Sequence, residues 1–162
     1  MVLWLASKGK KPLILGKFTK VLLNEAISFG QSLIYFFMPE KYLMLNDIDA
    51  YKIAFRLSNF IWDIVIRWGH FERRTVGAQF VEAADSISAN IAEGFGRYFK
   101  KDKIRFYHYS AGSTKECFDW NQKAWVRKLL SEAEYKFIFT ELQKLPEAVN
   151  RLIKYTNLKL TR

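Results

Sequence analysis

The sequence predicts an all-α protein, an antiparallel up-down-up-down four-helix bundle. Three observations carry that expectation. Glycine and proline are scarce, 8 and 3 in 162 residues, so few turns are available and long helices fit better than many short strands. Half of the residues are hydrophobic and 17% are aromatic, which is ample for one packed core and argues against disorder. After Met44, apolar residues recur at helical spacing in four blocks, and no alternating pattern bounded by turn residues competes.

Residues 1–43 differ from the rest. They carry Lys8, Lys10, Lys11, Lys17, Lys20 and Lys41 against Glu25 and Glu40. Val21–Met38 contains Asn24, Glu25, Ser28, Gly30, Gln31 and Ser32, too polar for the ~20 apolar residues of a membrane span. No apolar run with a small-residue cleavage site follows the Lys8–Lys11 cluster, so a secretory leader is not expected. The bundle domain is therefore assigned to residues 44–162. Residues 1–43 are expected to be a basic extension that is poorly ordered or is translated from an upstream start that the cell does not use. Abundant native peptides from within 1–43 would overturn that expectation.

The first helix is predicted over Asp49–Trp68. Lys52, Arg56, Asn59, Asp63 and Arg67 form a polar stripe, and nearly everything else is apolar. An apolar arc this wide exceeds one core contact and predicts an oligomer interface. Asn46 or Asp47 is the expected N-cap. Gly69–Gly77 reads as a charged connection. The second helix is predicted over Ala78–Glu93, with Phe80, Ala84, Ile87 and Ile91 on one stripe. Gly94 and Gly96 follow it, where a left-handed C-cap needs glycine. The third helix is predicted over 101–127. Its Gly112 costs about 1 kcal/mol relative to alanine and suggests a close neighbour. Ser131 and Glu134 have the spacing of a capping box that opens the fourth helix, over Glu132–Lys159. Pro146 is expected to kink or interrupt that helix.

Net charge is +10. A surplus that large lies on the surface and attracts polyanions such as nucleic acid. Cys117 is the single cysteine and His70 and His108 are far apart. No intramolecular disulfide can form, a reducing cytoplasmic location fits, and a Cys/His metal site has little to build on.

The stretch SISANIAEGFGRYFKKDK, from Ser86 to Lys103, concentrates the candidate residues. Gly94-Phe-Gly96 follows a helix rather than a strand, which excludes a nucleotide-binding glycine loop. Glu93 with Glu116 is a thin basis for paired-carboxylate catalysis, because Ser86 has no base at helical spacing and no Glu-x-x-His pattern accompanies the pair. The architectural reading is better. Ser86, Asn90 and Glu93 on the second helix are expected to hydrogen-bond with Ser113 and Glu116 on the third, setting their register. Glu93 and Arg97 have ion-pair spacing.

Arg97, Lys100, Lys101, Lys103 and Arg105 form a basic cluster opposed by Asp102 alone, with Tyr98, Phe99, Phe106 and Tyr107 interleaved. The expectation is a basic tip whose aromatics are buried in the bundle, with phosphate contact favoured over base stacking. Arg73 and Arg74 are expected to form a separate, weaker patch at the opposite end, shared with Arg127 and Lys128.

Asn90-Ile-Ala-Glu-Gly-Phe-Gly-Arg97, with Lys101–Phe106, Gly112-Ser113 and Glu116, resembles the four-helix-bundle family encoded in intervening sequences of bacterial 23S ribosomal RNA genes, to which the accessory protein of diversity-generating retroelements is related. The resemblance covers roughly residues 47–159. It implies a four-helix bundle, commonly a ring-like homopentamer, with no known enzymatic chemistry and with nucleic-acid binding shown or suspected for some relatives. Gln79-Phe-Val-Glu82 departs from the basic residues that members often carry there, which puts the contacts of those residues in doubt.

The functional expectation is a non-enzymatic, cytoplasmic, oligomeric bundle that binds RNA or DNA through its basic surface, without cofactor, metal or membrane association. The alternative is an interaction scaffold that docks a protein partner such as a reverse transcriptase.

Overall fold

The computed structural model describes residues 43–160. The expectations for the basic extension fall almost entirely outside that range. Among the described residues there are four long helices and no strand: α1, Asp49–Val65; α2, Ala78–Gly96; α3, Lys100–Val126; and α4, Glu132–Lys159. Helix period predicted each of them to within three residues at either end.

α1 packs against α2 and α4, and α3 packs against the same two helices. Contacts that advance along one helix retreat along its neighbour. Gly94 faces Lys103, Phe106 and Tyr107, whereas Ser110 bonds back to Ile87. Arg56 meets Glu141, Phe60 meets Phe137 and Arg67 meets Glu134. The core follows from the spacing. Leu57, Ile61, Phe80, Ile87, Ile91, Tyr107, Cys117, Ile138, Leu142, Leu145 and Val149 are fully buried. Burial of each large aliphatic or aromatic side chain contributes about 1.5–3 kcal/mol.

Local chemistry explains the start of α4. Ser131 and Glu134 form the expected capping box: the Ser131 hydroxyl accepts from the Glu134 amide, and the Glu134 carboxylate accepts from the Ser131 amide at 2.8 Å. The start of α1 differs from expectation. A 3-10 turn, Leu45–Asp47, precedes it, and Ile48 stands at the N-cap without a side-chain acceptor. The Asp47 carboxylate instead accepts from the Met44 amide at 3.0 Å.

The charged connection is itself helical. A single turn, His70–Glu72, runs through a π-helical turn, Arg73–Gly77, directly into α2. A Cβ at Gly77 would stand 2.6 Å from Val65 Cγ1. The chain therefore passes too close to the end of α1 for any larger residue. Pro146 does not interrupt α4, which continues to Lys159. The ring lies on the exposed face, so the buried side chains on the opposite face still pack.

Candidate nucleic-acid interface

The basic cluster occupies the corner between α2 and α3. α2 ends without a left-handed glycine. No described glycine has a positive φ, and Arg97 leaves the helix in an extended conformation. The C-terminal carbonyls find a different partner. Lys103, one turn into α3, donates to the Phe95 carbonyl at 2.6 Å and lies 5.6 Å from the centre of the Phe95 ring. Partial burial lowers its pKa from the ordinary lysine value. A cation at a helix C-terminus is favourable to the helix dipole, so the α3 lysine supplies what the glycine was expected to.

The two glycines also have unequal jobs. Gly94 is buried, and an added Cβ would stand 2.9 Å from the Lys103 carbonyl oxygen. Gly96 has nothing within 4 Å. Gly94 is what lets α2 and α3 meet at the corner.

The five cations separate into classes. Arg97 pairs with Glu93 and lies 4.7 Å from the centre of the Phe106 ring. Arg105 leans over the Tyr109 ring at 5.8 Å. Lys103 is the helix cap. Lys100 and Lys101 have no acidic partner among the described residues. Lys101 is exposed and Lys100 partly so. Phe99 stands at the N-cap of α3 with no side-chain acceptor.

Two of the four aromatics depart from expectation. Tyr107 is buried, with its hydroxyl in reach of Thr156, and burial raises its pKa. Phe106 is half-buried beneath Arg97. Tyr98 and Phe99, however, are 73% and 58% exposed and lie edge-to-face at 5.1 Å. They occupy the turn, outside both helices, so no helical face draws them into the core.

The polar motif does not act as predicted. Asn90 donates to the Ser86 carbonyl of its own helix at 2.7 Å. Glu93 pairs with Arg97, and Glu116 is exposed. Among the described residues no hydrogen bond joins Asn90 or Glu93 to Ser113 or Glu116. Across the α2–α3 seam the hydrogen bond is made instead by a buried serine, with a buried threonine bonded behind it within α3. Buried Ser110 donates to the Ile87 carbonyl at 3.0 Å, and buried Thr114 donates to the Ser110 carbonyl at 2.9 Å. Their signal is spacing: Tyr107, Ser110, Thr114, Cys117, Asn121 and Ala124 alternate steps of three and four, and all six are buried.

At the other end, Arg73 donates to the Ile66 carbonyl at 3.4 Å, and Arg74 is exposed without an ion pair among the described residues. A second surface runs along α1. Phe55, Trp62 and Ile66 share one stripe and are about half exposed.

A family model described as 23S rRNA-intervening sequence protein matches residues 46–151. The chain belongs to this family. The intervening-sequence match takes in α1, α2, α3 and most of α4, and therefore the whole basic corner. A similar solved structure is that of a protein of unknown function from the S23 ribosomal protein family of Bacteroides thetaiotaomicron VPI-5482. It is 17% identical, with a TM-score of 0.56 over 68% of this chain and 99% of that one. That likeness concerns the fold. No curated protein matches the chain. Among the described residues no helix is long and apolar enough to cross a membrane.

Proposed function

We propose that this intervening-sequence protein is a non-enzymatic, oligomeric bundle that binds nucleic acid in the cytoplasm through its basic α2–α3 corner. The observation that carries this reading is the pair Lys100 and Lys101, which stand without acidic partners at the start of a 27-residue helix. A lysine held in an ion pair already has its charge offset by a carboxylate. Lysines without partners release counterions when they meet phosphates. The positive end of the α3 dipole adds to the same field. Arg105 extends the patch, whereas Arg97 and Lys103 shape it through Glu93 and Phe95.

The α1 stripe supports the oligomeric part. Phe55, Trp62 and Ile66 are large apolar groups left on one face, and a partner surface removes them from water. In a ring, the basic corners of several copies would face one side and bind by multivalency. The same stripe supports a second reading, a scaffold that docks a protein partner such as a reverse transcriptase.

Fluorescence anisotropy with labelled RNA and DNA at low salt tests the proposal. Binding that weakens steeply with salt, and weakens again in Lys100→Glu/Lys101→Glu, is expected. Unchanged affinity in that variant would remove the corner from the interface. Absence of any oligonucleotide binding, with one protein partner retained through purification, would favour the scaffold.

A further inference from the structure

We infer that the α2–α3 corner selects single-stranded nucleic acid, with unpaired bases stacking on Tyr98 and Phe99 while Lys100 and Lys101 hold the flanking phosphates. This rests on the nucleic-acid reading above and specifies its ligand. Tyr98 and Phe99 are consecutive, fall in the short turn between two helices, and are 73% and 58% exposed. Their edge-to-face contact at 5.1 Å uses the edge of one ring against the face of the other, and leaves ring surface open to solvent. Two such rings on a turn do nothing for the bundle core. Their position does something for a ligand: they immediately precede the two unpaired lysines.

Charge decides which occupant this surface fits. A second copy of the corner would bring its own Lys100 and Lys101 against the first and repel it. The α1 stripe, the surface suited to another copy, lies on a different helix. A paired duplex keeps its bases stacked inside and offers phosphates alone, so it would use the lysines and leave the rings idle. An unpaired strand offers both phosphates and π-faces. Aromatic side chains interleaved with cations are the general means of binding such strands, because every base has a face to stack.

The test uses the full chain with three fluorescein-labelled probes: a ~20-nucleotide unstructured single strand as RNA, its DNA equivalent, and a duplex of the same length. Anisotropy is measured at low salt for the parent, Tyr98→Ala/Phe99→Ala, Tyr98→Leu/Phe99→Leu and Lys100→Glu/Lys101→Glu. Circular dichroism confirms that each variant is folded. The expected result is tighter binding of single strands than of duplex. Both aromatic replacements should lose about tenfold or more on single strands and about twofold or less on duplex. The leucine pair is the sharper probe, since it keeps apolar bulk and removes the ring face. The lysine variant should lose both probes. Aromatic variants that bind single strands like the parent, while the lysine variant does not, would overturn the stacking inference and leave the basic-corner reading intact. Parent protein that prefers duplex would overturn the inference in the same way. No binding to any oligonucleotide would overturn both.

Discussion

A Cβ placed on Gly94 would stand 2.7 Å from Cε1 of Tyr107. Backbone of one helix thus meets a buried aromatic ring of the next with no room between them. Gly94→Ala is expected to destabilise the bundle by about 1–3 kcal/mol, because the Lys103 carbonyl is backbone and cannot swing aside. Gly96→Ala and Gly112→Ala should each stabilise by about 0.5–1 kcal/mol, since both are helical and meet nothing within 4 Å. Urea unfolding of the three variants checks the contrast. A tolerated Gly94→Ala would show that the corner is not closely packed.

The side chain of Glu141 is 5% exposed and accepts from Arg56 and Lys144, each at 2.5 Å. Burial alone would raise its pKa, but hydrogen bonds from Lys144 and Arg56 outweigh that and lower it. The folded protein therefore holds the ionised form more tightly than the unfolded chain does. The resulting stability is fully present above the ordinary glutamate range. It is lost as pH falls below about 4.3 and through the depressed folded value. Glu141→Gln should flatten that part of the stability-versus-pH curve. Arg56→Ala, leaving the carboxylate with one cation, should cost about 1–2 kcal/mol near neutrality. Denaturant midpoints measured across the acid range decide both points.

Cys117 is fully buried, and burial pushes its thiol well above the ordinary value, with the Glu116 charge adding to the effect. The thiolate is the reactive species, so native protein should react with a disulfide reagent about 100-fold or more slowly than denatured protein. Rapid native labelling would mean that α3 opens from the bundle.

Each phosphate contact contributes about 0.7–0.9 to the slope of log affinity against log salt. With one phosphate neutralised by each lysine, Lys100→Glu/Lys101→Glu should therefore reduce that slope by about 1.4–1.8. The double variant Arg73→Ala/Arg74→Ala should change it less, because Arg73 already serves the Ile66 carbonyl. A larger effect at Arg73 and Arg74 would move the interface to the other end of the bundle.

The exposed stripe on α1 predicts self-association. Phe55→Glu/Trp62→Glu should shift the protein from an oligomer to a single chain in sedimentation velocity while leaving helix content intact. Both residues are about half exposed in one chain, so the substitutions cost the isolated bundle little. An unchanged sedimentation profile would assign the stripe to a different partner.

What the sequence determined by itself is local. Steps of three and four placed four helices, and the Ser131–Glu134 box marked one start, because period and capping depend on residues a turn apart. The same logic found the Glu93–Arg97 pair. The tertiary structure decided everything that depends on a neighbour from another helix. Gly94 and Gly96 look alike in the chain, yet Tyr107 and the Lys103 carbonyl close on one and leave the other open. Five cations look equivalent, yet Phe95, Glu93, Phe106 and Tyr109 engage three of them and leave Lys100 and Lys101 without acidic partners. Ser110 and Thr114 are polar and carry no motif of their own, yet both are buried once the helices pack. Tyr98 and Phe99 read as core aromatics, but the turn holds them outside both helices. Side-chain type and spacing report which face of a helix is apolar; which polar group meets a partner is set only when the faces come together.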